Sequence, residues 1–241
     1  MKKPFRVIYE DNHLVIVNKR AGVLVHGDKT GDKTLEEAVK EYIKETYNKP
    51  GAVYLGTVHR LDRPVSGLII FARTSKALER MNELFRKRHI QKTYWAITRN
   101  KPRIKKGRLT HWLVKDQDRN VVTAHDEEVP NSKKAELDYR YVGTINKHHL
   151  IEVEPITGRS HQIRVQLASM GCPIRGDLKY GYPRPNPDAS INLHSRRAYF
   201  IHPVKKEPVL CKAPLPENAF WEEFLQLETE DIKDDTMKFL H

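Results

Sequence analysis

Two short segments carry the residues able to do chemistry. The first is His59-Arg60-Leu61-Asp62-Arg63-Pro64-Val65-Ser66-Gly67-Leu68, where one carboxylate, Asp62, stands between two arginines ahead of the turn-forming Pro64 and Ser66-Gly67. Apolar residues flank it, Val53-Tyr54-Leu55 before and Leu68-Ile69-Ile70-Phe71 after. The pattern predicts a strand, an exposed turn and a second strand. Such a turn either holds an acid rigidly where a substrate reaches it or lets the aspartate cap its own backbone; within this segment alone the two readings weigh evenly. The second segment, far along the chain, is Thr157-Gly158-Arg159-Ser160-His161-Gln162-Ile163-Arg164. Here Gly158 permits a tight approach, Ser160 is placed to cap a helix, and Arg164 falls one turn in, on a polar face. An arginine fixed in this way can pair with a carboxylate and favour its ionised form; within this segment alone a plain surface residue is the weightier reading.

The elements that must position these groups are mostly strands. Residues 5–26 read as two strands joined by a turn, Arg6 to Tyr9 and then Leu14 to Val17, continuing to Leu24-Val25-His26. Thr34 with Glu37 makes a capping box for a helix carrying Leu35, Ala38, Val39, Tyr42 and Ile43 at helical spacing, ending near Asn48-Lys49-Pro50-Gly51. Ser75 caps a second helix with Leu78, Met81, Leu84 and Phe85 on one face, and Arg86-Lys87-Arg88-His89 suits the negative end of its dipole. Strands then dominate: Lys92 to Ile97, Leu109 to Val114, Val121 to Ala124, Ala135 to Tyr141, Leu150 to Val153, Ala198 to Ile201 and Val209 to Cys211, with a short helix over His161 to Met170. Helices interrupt the strands too irregularly for a doubly wound sheet. The expected fold is therefore α+β, a single domain on a large, mainly antiparallel mixed sheet with flanking helices. Residues 1–216 form that domain, and 217–241 add a closing helix through Phe220, Trp221, Phe224 and Leu225 and an acidic, frayed tail.

Composition narrows the partner. The chain of 241 residues holds 43 Lys and Arg against 31 Asp and Glu, a net charge of +12. The acids crowd into residues 217–241, so the body is more basic still and suits a polyanion. The alternative is a solvated basic surface without any nucleic-acid role. No apolar run is long enough to span a membrane, and Met1-Lys2-Lys3-Pro4 leads straight into a charged strand, so export is not expected. Cys172 and Cys211 stand apart without a C-x-x-C pair. They read as small buried thiols in a reducing cytoplasm, with neither a disulfide scaffold nor a zinc site.

His59-Arg60-Leu61-Asp62 with Ser66-Gly67, then Lys92-Thr93-Tyr94, then Gly158 to Arg164, in that order, resemble the three active-site motifs of the RluA-type pseudouridine synthases. The resemblance runs from about Phe5 to Pro216. It implies an isomerase that turns a uridine of RNA into its C-glycoside isomer without a cofactor or metal, on a pseudouridine-synthase-like catalytic domain. Carried onto this chain, Asp62 is the catalytic aspartate, Tyr94 the tyrosine beside the target base, Arg164 the arginine paired with the aspartate, and Ile163 an apolar residue lining the pocket. The chemistry agrees. Uracil must leave C1′, rotate and rejoin through C5, so the base cannot stay stacked and has to be flipped out. An ionised Asp62 either attacks C1′ or helps remove a ribose proton to give a glycal. Tyr94 offers a flat face and a hydroxyl for the last proton removal. Arg60 either fills the gap left by the flipped base or contacts phosphate. Arg60, Ile163, His161 and Arg159 make the substrate-binding set, and His59 and His161 are also read as hydrogen-bonding to hold their turns.

Where relatives commonly have Thr this chain has Val65 and Ser160, and Gln166 stands where they often have His. Many relatives carry an S4-type RNA-binding domain ahead of the catalytic one. The pattern here begins at about Phe5, so the body itself is expected to grip a structured RNA, a stem-loop of rRNA or tRNA. The candidates are Arg86, Lys87 and Arg88, the run Lys101, Arg103, Lys105, Lys106 and Arg108, read as a Pro- and Gly-bearing basic loop free to follow a backbone or, with similar weight, as a merely solvated loop, and Arg196-Arg197. Two other functions compete: a catalytically silent RNA-binding protein, which an intact Asp62, Tyr94 and Arg164 argue against, and a nucleoside or sugar hydrolase, which needs a second carboxylate beside the first. A monomer is expected, since no coiled-coil stripe is present.

Overall fold

The computed structural model describes residues 3–27 and 31–228. Alternating runs, and continuous apolar runs such as Leu14 to Val17 and Leu68 to Ala72, make strands that pair into one sheet: β1 (Phe5–Glu10), β2 (Leu14–Lys19), β3 (Gly56–Thr57), β4 (Ser66–Ala72), β5 (Gln91–Thr98), β6 (Lys106–Asp116), β7 (Val121–His125), β8 (Lys133–Ile145), β9 (His148–Pro155), β10 (Leu193–Ile201) and β11 (Pro208–Lys212). The order across the sheet is β1-β2-β4-β10-β5-β9-β8-β6-β7, with β3 on β4 and β11 on β10. Every pairing is antiparallel except β4 with β10, which run parallel through His194–Ser66 and Ser195–Gly67. The expected α+β fold on a mainly antiparallel mixed sheet is the one observed.

Among the described residues four α-helices cover the sheet: α1 (Leu35–Thr46), α2 (Ser75–Arg86), α3 (Gln162–Ser169) and the short α4 (Ala219–Glu222). Period-two alternation sends Val15, Val17, Ile69 and Phe71 under α1 and Leu14, Ile16, Leu68 and Ile70 under α2 on the other face. Gly67, Ser195 and Tyr94 are lateral partners across three strands, so Tyr94 lies on the α1 face. There Tyr94, Ala96, Ile151 and Val153 pack with Ile163 and Leu167 of α3. On the opposite face Trp95, Ile97 and Leu150 pack against Trp221 and Phe224.

Local signals were read correctly at α1, where Thr34 Oγ1 accepts the Glu37 N–H at 3.1 Å and Glu37 Oε2 accepts the Thr34 N–H at 2.8 Å. Three readings need correction. Leu24-Val25-His26 is not a strand: the carbonyls of Leu24 and Val25 instead take the N–H groups of Leu35 and Glu36 at the start of α1. The cap of α2 is Thr74, whose hydroxyl accepts the Ala77 N–H at 3.1 Å, one residue before Ser75. The closing helix is a single turn of α4 followed by a 3-10 stretch at Glu223–Leu227, and the acidic tail beyond Glu228 lies outside the described residues.

His194 is wholly buried at the parallel seam, with Nδ1 2.8 Å from Ser66 Oγ. Burial, reinforced by Arg196, lowers its pKa to about 3. The unfolded chain therefore takes up this proton first, so the stabilisation is complete above about pH 6.5 and is lost as pH falls towards 3. At pH 5 the loss is roughly 2 kcal/mol, or about 4–8 °C in Tm. Thermal melts at pH 7 and pH 5 test this against His194→Asn, in which the acid-induced drop should shrink by that amount; an equal drop in both proteins would refute it.

Candidate active site

Asp62 sits in the loop between β3 and β4, and the loop is pinned on several sides. Val65 N–H closes a turn onto Asp62 O at 3.0 Å, and Gly22 N–H meets Arg63 O at 2.8 Å. Lys19, at the end of β2, is buried beneath the loop and donates to the carbonyls of Arg20, Val23 and Arg63 at 3.0, 2.9 and 3.2 Å. Burial lowers its pKa to about 7, against the nearby charge of Asp62. On the other side His59 Nε2 accepts the Ile70 N–H at 3.1 Å and the ring stacks on Phe85, so His59 does hold its turn. The Asp62 side chain is 27 % exposed, and Arg60 is exposed beside it.

Arg164 reaches this loop from α3. Its Nη1 donates to Asp62 Oδ2 at 2.9 Å, while Nε and Nη2 grip Asp177 at 2.7 and 2.8 Å. Burial would depress the guanidinium, but Asp177 and then Asp62 outweigh it and raise the pKa above the ordinary arginine value. The helix around Arg164 has no polar face. Gln162 to Leu167 are all buried, and Gln166 fills polar needs inside, donating to the carbonyls of Leu109 and Ala135. Ser160 does not cap the helix. Instead Gln162 Oε1 accepts from Thr157 Oγ1 at 2.8 Å and from the Arg159 N–H at 2.9 Å, and His161 adopts a left-handed φ of 52°. Gly158 is not needed for close approach, because a Cβ there would meet open space.

Tyr94 is 7 % exposed on β5, within the electrostatic reach of Asp62. Burial pushes its phenol up to about 12, with a hydrogen bond to Ser195 acting the other way. Ile163, Val65 and Leu61 complete the apolar wall around it. His161 Nδ1 lies 2.7 Å from Tyr180 Oη, and its Nε2 lies 3.8 Å from Asp62 Oδ2. Thus Asp62, Tyr94, Ile163, His161 and Arg164 meet in one place, drawn from segments far apart in the chain. The sequence reading missed Lys19, Asp177, Tyr180 and Ser195; the first carried a visible signal, a lysine ending an apolar strand just before Ala21-Gly22. Among the described residues no cluster of three or more His, Cys, Asp or Glu is placed to hold a metal, and no helix is long and apolar enough to cross a membrane.

Residues 13–169 match the family model described as RNA pseudouridylate synthase. The chain belongs to the RNA pseudouridylate synthase family. It is 31 % identical over 217 residues to a ribosomal large subunit pseudouridine synthase C of Vibrio vulnificus (strain CMCP6), covering 88 % of this chain and 66 % of that one. It is 33 % identical over 230 residues to a tRNA pseudouridine synthase C of Salmonella typhi, covering 88 % and 85 %. The chain thus spans just under two thirds of the length of the ribosomal relative. The structure of human RNA pseudouridylate synthase domain containing 4 superposes with a TM-score of 0.75 at 25 % identity, over 92 % of each chain.

For a family member expected to grip RNA, the basic candidates divide sharply. Lys101 and Arg103 are exposed and, with Asn100, Ser169, Met170 and Gly171, line a groove of about 570 Å³. Lys105 is exposed ahead of β6, but the supposed loop ends there, since Lys106 and Arg108 already belong to that strand. Arg108 is held bidentate by Asp138 at 2.7 and 2.8 Å. Arg86 and Arg88 are exposed at the end of α2, while Lys87 pairs with Glu83 at 2.8 Å. Arg159 is exposed, its Nε donating to Lys134 O at 3.1 Å. Arg196 and Arg197 are not surface grips. Both are buried, Arg196 against Glu228 and the Trp95 ring, Arg197 against Glu152. Remote carboxylates neutralise them inside the protein.

Proposed function

We propose that this chain isomerises a specific uridine of RNA to pseudouridine, with Asp62 as the catalytic group. The observation that carries the reading is the buried Arg164, which holds Asp62 Oδ2 at 2.9 Å while Asp177 fixes the other edge of its guanidinium. A carboxylate oriented from behind in this way presents itself to the ribose of an extruded nucleotide, and either adds to C1′ or takes a ribose proton. The relatives' names, a ribosomal and a tRNA pseudouridine synthase, support rRNA or tRNA as the substrate, and the stem-loop within it is the reading of the sequence. With a pKa near 12, Tyr94 enters as a neutral phenol. It gives the uracil a flat face and an O–H rather than a standing phenolate. Hydrolysis by a carboxylate pair is disfavoured, because Asp177 lies across the guanidinium from Asp62 and is 1 % exposed. The resemblance supports catalysis without a cofactor and 1–216 as the catalytic domain; a monomer acting in the cytoplasm rests on the sequence reading alone.

The test is tritium release from tRNA and rRNA transcripts carrying [5-³H]uridine, with pseudouridine mapping in cells with and without the gene to locate the site. Release from neither RNA, and an unchanged map, would overturn the proposal.

The grip is tested through salt. Each phosphate contact adds roughly 0.7–0.9 to the slope of log affinity against log salt. Replacing Lys105 and Lys106 together with Ala should flatten that slope by about 1.5. Arg108→Ala should leave it nearly unchanged, because Asp138 already neutralises that guanidinium. Equal flattening by both variants would mean that the Asp138 pair opens to RNA.

A further inference from the structure

His161 is a titratable side chain beside the Asp62–Arg164 pair that the reaction above leaves without a task. Its two ring nitrogens have different neighbours. Nδ1 is 2.7 Å from Tyr180 Oη, and that same oxygen accepts the Val122 N–H at 3.0 Å. A phenol carries a single proton and is a poor double acceptor. With one lone pair taken by Val122, its O–H is best used on Nδ1, which makes Nδ1 the acceptor. Nε2 is 3.8 Å from Asp62 Oδ2. A lone pair on Nε2 would face a carboxylate oxygen, whereas an N–H there faces an acceptor. Both neighbours therefore select the same tautomer.

The charge state agrees with this. Burial is the largest influence on His161 and opposes a second proton against the attraction of Asp62, with Arg164, Lys179 and Lys115 acting in the same sense as burial, so the ring stays neutral down to about pH 4. The main chain also places the side chain deliberately. His161 holds φ 52° at the entry to α3, a conformation that a non-glycine residue adopts at some cost. Tyr180 is fixed in turn by the Arg164 guanidinium, 5.1 Å above its ring.

We propose that His161 is a positioning residue: a neutral Nε2–H donor, locked in that tautomer by Tyr180, that joins Arg164 on Oδ2 of Asp62 and so leaves Oδ1 as the oxygen that meets the ribose. The proposal rests on the isomerase reading for its consequence, but not for its structure. The 3.8 Å separation is longer than a hydrogen bond, and it closes when an occupied site presses Asp62 back against its two donors. No proton is transferred; the N–H remains on His161 throughout.

Two measurements test this, and they fail separately. In protein labelled with ¹⁵N-histidine, the His161 signals, assigned by their absence from His161→Gln, should show an unprotonated Nδ1 and a protonated Nε2 between pH 6 and 8. Tyr180→Phe should mix the tautomers. A protonated Nδ1 in the wild type would overturn the proposal even if the chain isomerises no RNA tested. In single-turnover conversion, His161→Leu should lower the rate on the order of tenfold to a hundredfold with RNA affinity unchanged, the range for losing a hydrogen bond to a charged group. His161→Gln, whose amide N–H reaches the Nε2 position, should recover most of that loss, and His161→Asn, whose amide reaches only the Nδ1 position, should not. Gln and Leu variants that are equally slow while melting like the wild type would overturn it as well.

Discussion

Replacing Asp62 with Asn is expected to lower uridine conversion by at least about 10³-fold while RNA affinity stays within about twofold. The amide has nearly the same shape and still accepts from Arg164 Nη1, which reaches the wild-type carboxylate at 2.9 Å. Arg164 keeps its bidentate grip on Asp177, so the pocket survives. What disappears is the charge. Asparagine neither forms a bond to C1′ nor takes up a ribose proton, so both chemical routes fail together. Single-turnover tritium release measures the first quantity and filter binding the second. Conversion at the wild-type rate would remove Asp62 from catalysis. A large fall in affinity would mean that the carboxylate matters for docking rather than chemistry.

The largest effect on folding is expected at Gly67, immediately behind the same loop. It has φ +115° in the parallel pairing of β4 with β10, and an added Cβ would lie 2.4 Å from both the N and the O of Ser195. Those atoms are backbone and cannot rotate away, so the two strands must part. Backbone strain and overpacking together cost about 3–5 kcal/mol. Gly67→Ala should therefore lower Tm by roughly 10 °C or more, or leave the chain insoluble. Gly22→Ala is the control. It also has a positive φ, 86°, but nothing lies within 4 Å of the added methyl, so it should cost only about 1 kcal/mol. Melting temperatures of the two variants that agree within a few degrees would show that the seam yields.

What could be read from the sequence follows from the range of the interactions. The capping box at Thr34 and Glu37 is written within four residues and was legible. The turn around Asp62 and the helix start before Arg164 were visible as local patterns, but neither segment alone decided the role of its charged residue. Their joining was legible only through the family resemblance. The partners that complete the site were hidden. Asp177 and Tyr180 come from a turn after α3, and Ser195 comes from a strand that enters the sheet between β4 and β5. Arg196 and Arg197 were misread because a basic pair looks solvated until Glu152 and Glu228 are brought beneath it. The α3 helix was misread for a related reason: Arg164 suggested a wet face, yet its guanidinium is tolerated inside because its donors find the Asp62 and Asp177 carboxylates.

Lys19 clamps three carbonyls under the Asp62 loop, and His59 holds its other arm to β4. A platform fastened at both ends is mechanically stiff and does not travel to meet its substrate. The compliance has to come from the nucleic acid, which bears the few kcal/mol of unstacking by itself. Candidate uridines are then ranked by the softness of their surroundings before any base is read. Weakening the clamp would share that burden with the protein and blur the ranking.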